Sequence, residues 1–361
     1  MQILDTLQDI ANYIVIKSSE FHISHSSFPS VELPDSTVVQ LQKMSAEIQY
    51  KCLNIQLLNL IYSIYYEGSL LSEVSQGSQK NNQILQKIAA AEIDWEFYEQ
   101  LEKNNQGKGW FHPDYLVVRE ETDGSLAVQY DGATINIQRN RHLQLIHQSA
   151  TVGDLVAVWI PSSCIRNNFY MAFGDAVDDF DFGHQENSVK QSVLIYFNFS
   201  PEAAIAAMKS VTTKLNAIEV SFSFQVLHNP LNYGRYNSGV LRFNNDSYEL
   251  VREVLQNFYI ENKSNFQPQV PLFTKVLAPG IGLAERPVYR FGSKESFGIN
   301  RCQIVANALL EAHKNGDESP KTRMKYILQH FDHLGIDLEC PYLNPNSEDI
   351  YTPLVKLSTS S

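Results

Sequence analysis

The chain has 361 residues, of which 28 are basic and 40 acidic, giving a net charge of -12, and 43% are hydrophobic. That length allows two domains or one large domain with an appendage, and the apolar share is ample for a core. The acidic balance excludes general binding to DNA or RNA, which needs a basic face, while a local basic pocket can still stand in an acidic protein.

The amphipathic start MQILDTLQDIANYIVI lacks the basic residues of a signal peptide. Residues 1–106 read as helical: Leu4, Leu7, Ile10, Ala11 and Ile14 keep a three-four spacing, as do Leu53, Leu57, Leu60 and Ile61. The pattern predicts one long helix over 37–66 and another over 82–103, ended by NNQGKG, with the polar SSFPSVELPDS as connector before them. The apolar run at 55–66 is interrupted by Gln56, Asn59 and Ser63, so it cannot span a bilayer. Tyr62, Tyr65 and Tyr66 suit either a contact surface or packing between helices.

From Tyr115 the period changes to two. YLVVRE, SLAVQY and ATINIQ, separated by TDG and DG turns, read as a β-meander, and the strands TVGDLVAVWIP and NNFYMAFGDAV follow. The loop at 175–187 holds Asp175, Asp178, Asp179 and Asp181; it reads as a hard-cation site or as a solvated acidic loop. Next come the strand SVLIYFNF, a helix opened by Pro201, the strand EVSFSFQVL, the turn HNPLNYGRYN, the strand SGVLRF and the helix DSYELVREVLQNFYIEN. Helices over RCQIVANALLEAHKNG and SPKTRMKYILQHFDHLGI complete the pattern. The fold class expected is α+β, a helical N-terminal region at 1–106 followed at 107–361 by a mainly antiparallel sheet domain with helices packed on one side.

The stretch 271–302, PLFTKVLAPGIGLAERPVYRFGSKESFGINRC, carries Lys275, Arg286, Arg290, Lys294 and Arg301 among four glycines and three prolines. Two readings stand: a loop-built anion site closed by a helix beginning near Asn300, or an ordinary basic surface loop. Cys52, Cys164, Cys302 and Cys340 are too far apart for a zinc knuckle or redox pair, and free thiols in a reducing cytoplasm are the simplest account. No GxGxxG, P-loop, GxSxG or HExxH motif occurs, and no cofactor or metal is called for. The expectation is a soluble cytoplasmic protein with neither nucleic acid nor membrane as partner.

PLFTKVLAPGIGLAERP followed by ESFGINRC resembles the C-terminal signature of the HopA-type effector family, named from a type III secreted effector of plant pathogens. NPLNYGRYNSGVLRF and MAFGDAV resemble earlier family stretches, and the likeness runs over about 108–315. Homologues also occur in bacterial gene clusters that make modified peptides, and the family fold is similar to that of phosphothreonine lyases. The resemblance implies a kinase-like partner that phosphorylates Ser or Thr in a precursor peptide, as in lanthipeptide-like biosynthesis. Elimination of phosphate would then leave a dehydroamino acid. Such a lyase needs a base for the Cα proton, a cationic cage for the leaving phosphate and an acid.

By that resemblance, the places that look like the lyase acid and base are Tyr196-Phe197-Asn198 and Gln225. Neither Asn198 nor Gln225 can do conventional proton transfer. Arg235 and Arg301 match the phosphate ligands, with a buried salt bridge to Glu285 or Glu295 as the other use of such arginines. Lys275 and His228 are the replacement catalytic candidates, His228 having the alternative of a simple backbone bond. Arg290, Tyr233 and Tyr236 are further candidates for holding phosphate or peptide, the tyrosines having aromatic packing as their other role. Two functions follow: a phosphoSer/phosphoThr lyase, or a catalytically degraded, effector-like scaffold that binds a peptide or protein.

Overall fold

The computed structural model describes residues 2–28, 33–70, 92–176, 191–292 and 295–355. Helix α1 (Gln2–Tyr13) leads into a hairpin of β1 (Ile14–Lys17) and β2 (His22–His25), then α2 (Asp35–Gln42) and α3 (Ala46–Ile61). The three-four pattern of α1 buries Leu7, Ile10 and Ala11 completely, while Leu4 stays 46% exposed. The single helix expected over 37–66 is instead broken. Ser45 takes an extended ψ of 151° and its side chain accepts the Ile48 N–H, starting α3 afresh. The last turn, Tyr62–Tyr66, widens to a π-helix. Helix α4 (Trp95–Asn104), capped by Asp94, is the described part of the helix expected over 82–103; residues 82–91 lie outside the described residues.

The meander forms as expected. Strands β3 (Trp110–Glu120), β4 (Leu126–Tyr130), β5 (Ala133–Ile137) and β6 (Leu155–Ile160) make a four-stranded antiparallel sheet of order β5-β4-β3-β6. It has a small core of its own, built on Val117, Leu126, Val128, Ile137, Val156 and Val158.

The main sheet has seven strands in the order β12-β13-β9-β11-β10-β8-β7, with every neighbouring pair antiparallel. They are β7 (Ser163–Arg166), β8 (Phe169–Phe173), β9 (Ser192–Phe197), β10 (Phe222–Leu227), β11 (Gly239–Asn244), β12 (Lys275–Ala278) and β13 (Ile281–Glu285). Helices α5 (Pro201–Ala217) and α6 (Tyr248–Asn262) interrupt the strands, and α7 (Phe297–Lys314) and α8 (Pro320–His333) follow them. Pro201 and Pro320 open their helices behind the capping serines Ser200 and Ser319.

Helices cover both faces of this sheet rather than one. Side chains alternate along β9, so Tyr196 and Phe197 point to opposite sides. Tyr196 meets Tyr66 of the π-turn at 6.0 Å and Phe297 of α7 at 6.5 Å. Phe197 leads through Phe199 and Phe266 to Phe258 and Tyr259 of α6. The N-terminal helices share one core with this sheet, because α1 packs on α8 and α3 on α7. Among the described residues no helix is long and apolar enough to cross a membrane.

The signature stretch is not an irregular loop. PLFTKVLAPGIGLAERP folds as the β12–β13 hairpin on the sheet edge, turning at Pro279-Gly280. Gly280 has φ +80, and a Cβ there would stand 2.3 Å from the Gln267 carbonyl oxygen, so the turn needs glycine.

Candidate functional site

The antiparallel register lines up Val276, Gly282, Tyr196, Val240, Gln225 and Met171 in one row across the main sheet. The π-turn and the head of α7 lie on this face. Tyr62 and Tyr66 stack at 4.9 Å, and Tyr66 is buried against α7 where Gly298 leaves room for its ring. Burial pushes the Tyr62, Tyr66 and Tyr196 phenols up, which keeps them neutral at neutral pH.

Glu67 follows the π-turn and is 9% exposed. Its Oε1 accepts the Ser69 hydroxyl at 2.8 Å, and its Oε2 accepts Arg235 Nη1 at 3.4 Å. The Glu67 carbonyl also accepts the Tyr236 N–H at 2.9 Å. Gly68 (φ +69) lets the Tyr236 ring lie where a Cβ would be. Asn237 donates to the Tyr62 hydroxyl at 3.3 Å. The turn between β10 and β11 is thus clasped by the segment after α3, and the Arg235 side chain keeps 29% of its surface in solvent.

Of the residues singled out by sequence, Arg235, Tyr236 and Gln225 lie in this region, the first two in the clasped turn and Gln225 in the row. Gln225 sits mid-strand, paired with Val240 and Met171. Tyr233 is packed between Phe97 and Phe199 and donates to the Leu227 carbonyl at 2.9 Å, the packing role of its two alternatives. His228 is 1% exposed; its main-chain N–H donates to the Asn168 carbonyl, and its ring Nδ1 has no hydrogen-bond partner. Asn198 is 1% exposed and its amide donates to the Gln269 carbonyl at 3.0 Å.

Lys275 and Arg301 are elsewhere, and apart from each other. Lys275 pairs with Leu283, in register with Ile195 and Leu241, on the side opposite Tyr196. Its ammonium meets Asp349 Oδ2 at 2.5 Å and lies over the Tyr342 ring. Burial pushes the Asp349 carboxyl up, but hydrogen bonds from Lys275 and Tyr342 hold it below the usual range.

Arg301, 2% exposed, donates to the carbonyls of Pro341 and Leu343 at 2.9 and 3.0 Å and to Asn300 Oδ1 at 2.6 Å. Burial lowers it to about 10, with Glu285 and Glu295 opposing. Of the two uses open to it, anion ligand or buried salt bridge, the salt bridge to Glu285 or Glu295 is not formed among the described residues, and its donors go to the two main-chain carbonyls and Asn300. Arg290 lies half-buried in the loop before α7, and Lys294 is outside the described residues. Of the acidic loop, Asp175 accepts the Lys108 N–H at 2.7 Å; Asp178, Asp179 and Asp181 are outside the described residues. Among the described residues no group of three His, Cys, Asp or Glu side chains could hold a metal ion.

The family model of the HopA1 effector protein family matches residues 160–343. The chain belongs to that family. The match takes in the main sheet, the clasped turn, α7 and α8, and leaves out the four-stranded sheet and the N-terminal helices. Two solved structures are similar to parts of it, the effector proteins of Pseudomonas syringae pv. tomato strain DC3000 and pv. syringae strain 61. Identities are 18% and 19%; each comparison has a TM-score of 0.36 and covers 49% of this chain. The chain spans 62% of the length of each. No curated protein matches.

Within this HopA1 chain, two partners escaped the sequence reading. Glu67 closes the apolar run of α3 directly before Gly68, a carboxylate where a helix ends, and that was a usable signal. Asp349 lies in the C-terminal segment that returns along β12, and no local pattern marks it. Chemically, the clasped turn offers an anion one partly exposed arginine, paired with Glu67. On the other side of the sheet the Lys275 ammonium is engaged by the Asp349 carboxylate and lies over the Tyr342 ring.

Proposed function

We propose that this HopA1 chain binds a phosphorylated or acidic peptide, with Arg235 as the anion ligand, and supports a kinase-like partner without moving the proton itself. One feature supports the reading. The two positions that, by the resemblance, look like the proton-transfer places of phosphothreonine lyases hold amides, Asn198 and Gln225, and Asn198 is buried on a main-chain carbonyl. The test is a synthetic phosphoserine peptide incubated with the purified chain, followed by mass and by fluorescence anisotropy. An unchanged mass is expected, with binding weakened about tenfold by Arg235→Ala, the cost of one charge-assisted pair. Loss of phosphoric acid overturns it.

The elimination reading is favoured by one feature. Glu67 places a carboxylate 3.4 Å from Arg235, a proton acceptor beside the anion ligand. If phosphate is released, Glu67→Gln should stop it while Lys275→Ala leaves it running.

A further inference from the structure

The edges of the sheets are treated unequally. Beside β12, the C-terminal segment donates Leu354 N–H to the Leu277 carbonyl. At β6, Leu143 bridges Val158 and His147 Nδ1 accepts the Ala157 N–H. Strand β7 is four residues long and carries Arg166. These are the usual defences of an edge: cover, brevity and charge.

Among the described residues, strand β5 has neither cover nor charge. Ala133-Thr134-Ile135-Asn136-Ile137 contains no charge and no proline, and it pairs with β4 without a bulge. Among the described residues its other edge pairs with nothing. Its first four residues are exposed. The turn that fixes it is tight, with φ +46 at Asp131 and +74 at Gly132, the two positive angles of a type I′ hairpin.

The face of β5 says what chemistry would cover it. Ile137 is opposite Leu126 and Ile135 opposite Val128, so Ile135 continues the small core yet remains 39% exposed. Thr134 and Asn136 occupy the other face, which is polar. A strand laid beside β5 with apolar residues at alternate positions would extend that core over Ile135 and leave polar residues outward. Five residues span about 17 Å. Pairing over that length buries far less than the roughly 1,200 Å² of a stable protein–protein interface, so an extended peptide suits the edge better than a second copy of this chain.

We propose that β5 is a docking edge for an extended, alternately apolar peptide segment, which adds to the four-stranded sheet as a fifth strand. The edge lies outside the family-matched residues and is separate from Arg235, so this proposal and the previous one can fail independently. The test uses the full chain and a fluorescein-labelled, unphosphorylated peptide that alternates valine and threonine between terminal lysines. Saturable anisotropy is expected, with new hydrogen-exchange protection on β5. A central proline in the peptide should weaken binding about tenfold, and Ile135→Lys by at least as much. Ile135→Thr, which keeps a strand-forming residue, should give an intermediate loss. No saturable binding, or binding indifferent to both Ile135 variants, overturns the proposal. A concentration-dependent dimer abolished by Ile135→Lys also overturns it, by making a second copy the occupant.

Discussion

Replacing Arg301 with methionine asks whether its guanidinium is a clamp inside the fold or a ligand for phosphate. In the structure it is 2% exposed, with Phe297 beneath it and three acceptors around it, the Pro341 and Leu343 carbonyls and Asn300 Oδ1. Each hydrogen bond to a charged group contributes roughly 1.5–3 kcal/mol net. Methionine keeps the apolar contact with Phe297, and removing the cation recovers part of its desolvation cost. The expected loss is therefore about 3 kcal/mol, below the simple sum. Lysine should do little better, because a single ammonium cannot fork to two carbonyls. Urea unfolding followed by intrinsic fluorescence measures this, with phosphopeptide anisotropy run in parallel on the folded variant. A stability loss under about 1 kcal/mol together with abolished phosphopeptide binding would refute the clamp and make Arg301 an anion ligand.

Gly298→Ala should lower the thermal midpoint. The gain in helix propensity is about 1 kcal/mol, but the new Cβ would stand 2.3 Å from the Tyr66 ring, and overpacking costs about 1–3 kcal/mol; a raised midpoint would show that the ring yields freely. Glu285→Ala removes the acceptor of the Tyr351 hydroxyl and of both Asn344 donors, so limited proteolysis should cut residues 342–355 faster. An unchanged cleavage rate would mean that this carboxylate does not hold the segment. Burial lowers His25, with Asp9 opposing, and its Nδ1 accepts the Ser27 N–H while Nε2 meets the Tyr65 hydroxyl. A histidine depressed in the folded state contributes stability above its unfolded value near 6.5, lost as pH falls through the lowered folded value. His25→Gln should flatten the stability profile as pH falls below about 6.5, and an identical slope in both proteins would count against the assignment.

Much of the fold was legible in local pattern. Apolar periodicity and caps located α1, α5, α6, α7 and α8, because an amphipathic stripe and a serine before a first turn are short-range signals. The meander and its DG turn were equally local. The break at Ser45 depended on a side chain choosing to cap, which periodicity does not record. The signature hairpin was misread as a loop because glycine and proline mark a tight turn and an irregular loop alike.

The candidate site divides the same way. The amides at Asn198 and Gln225, and an arginine in the β10–β11 turn, were determined by the sequence alone, since residue identity sets which groups can titrate. Only the tertiary structure decided what the cations do. Lys275 found Asp349 74 residues away, Arg235 found Glu67 168 residues away, and Arg301 found two carbonyls about forty residues on. Register in the antiparallel sheet then put Lys275 and Tyr196 on opposite faces. A charge has no role until its partner is in place, and partners that distant in the chain are brought together only by packing.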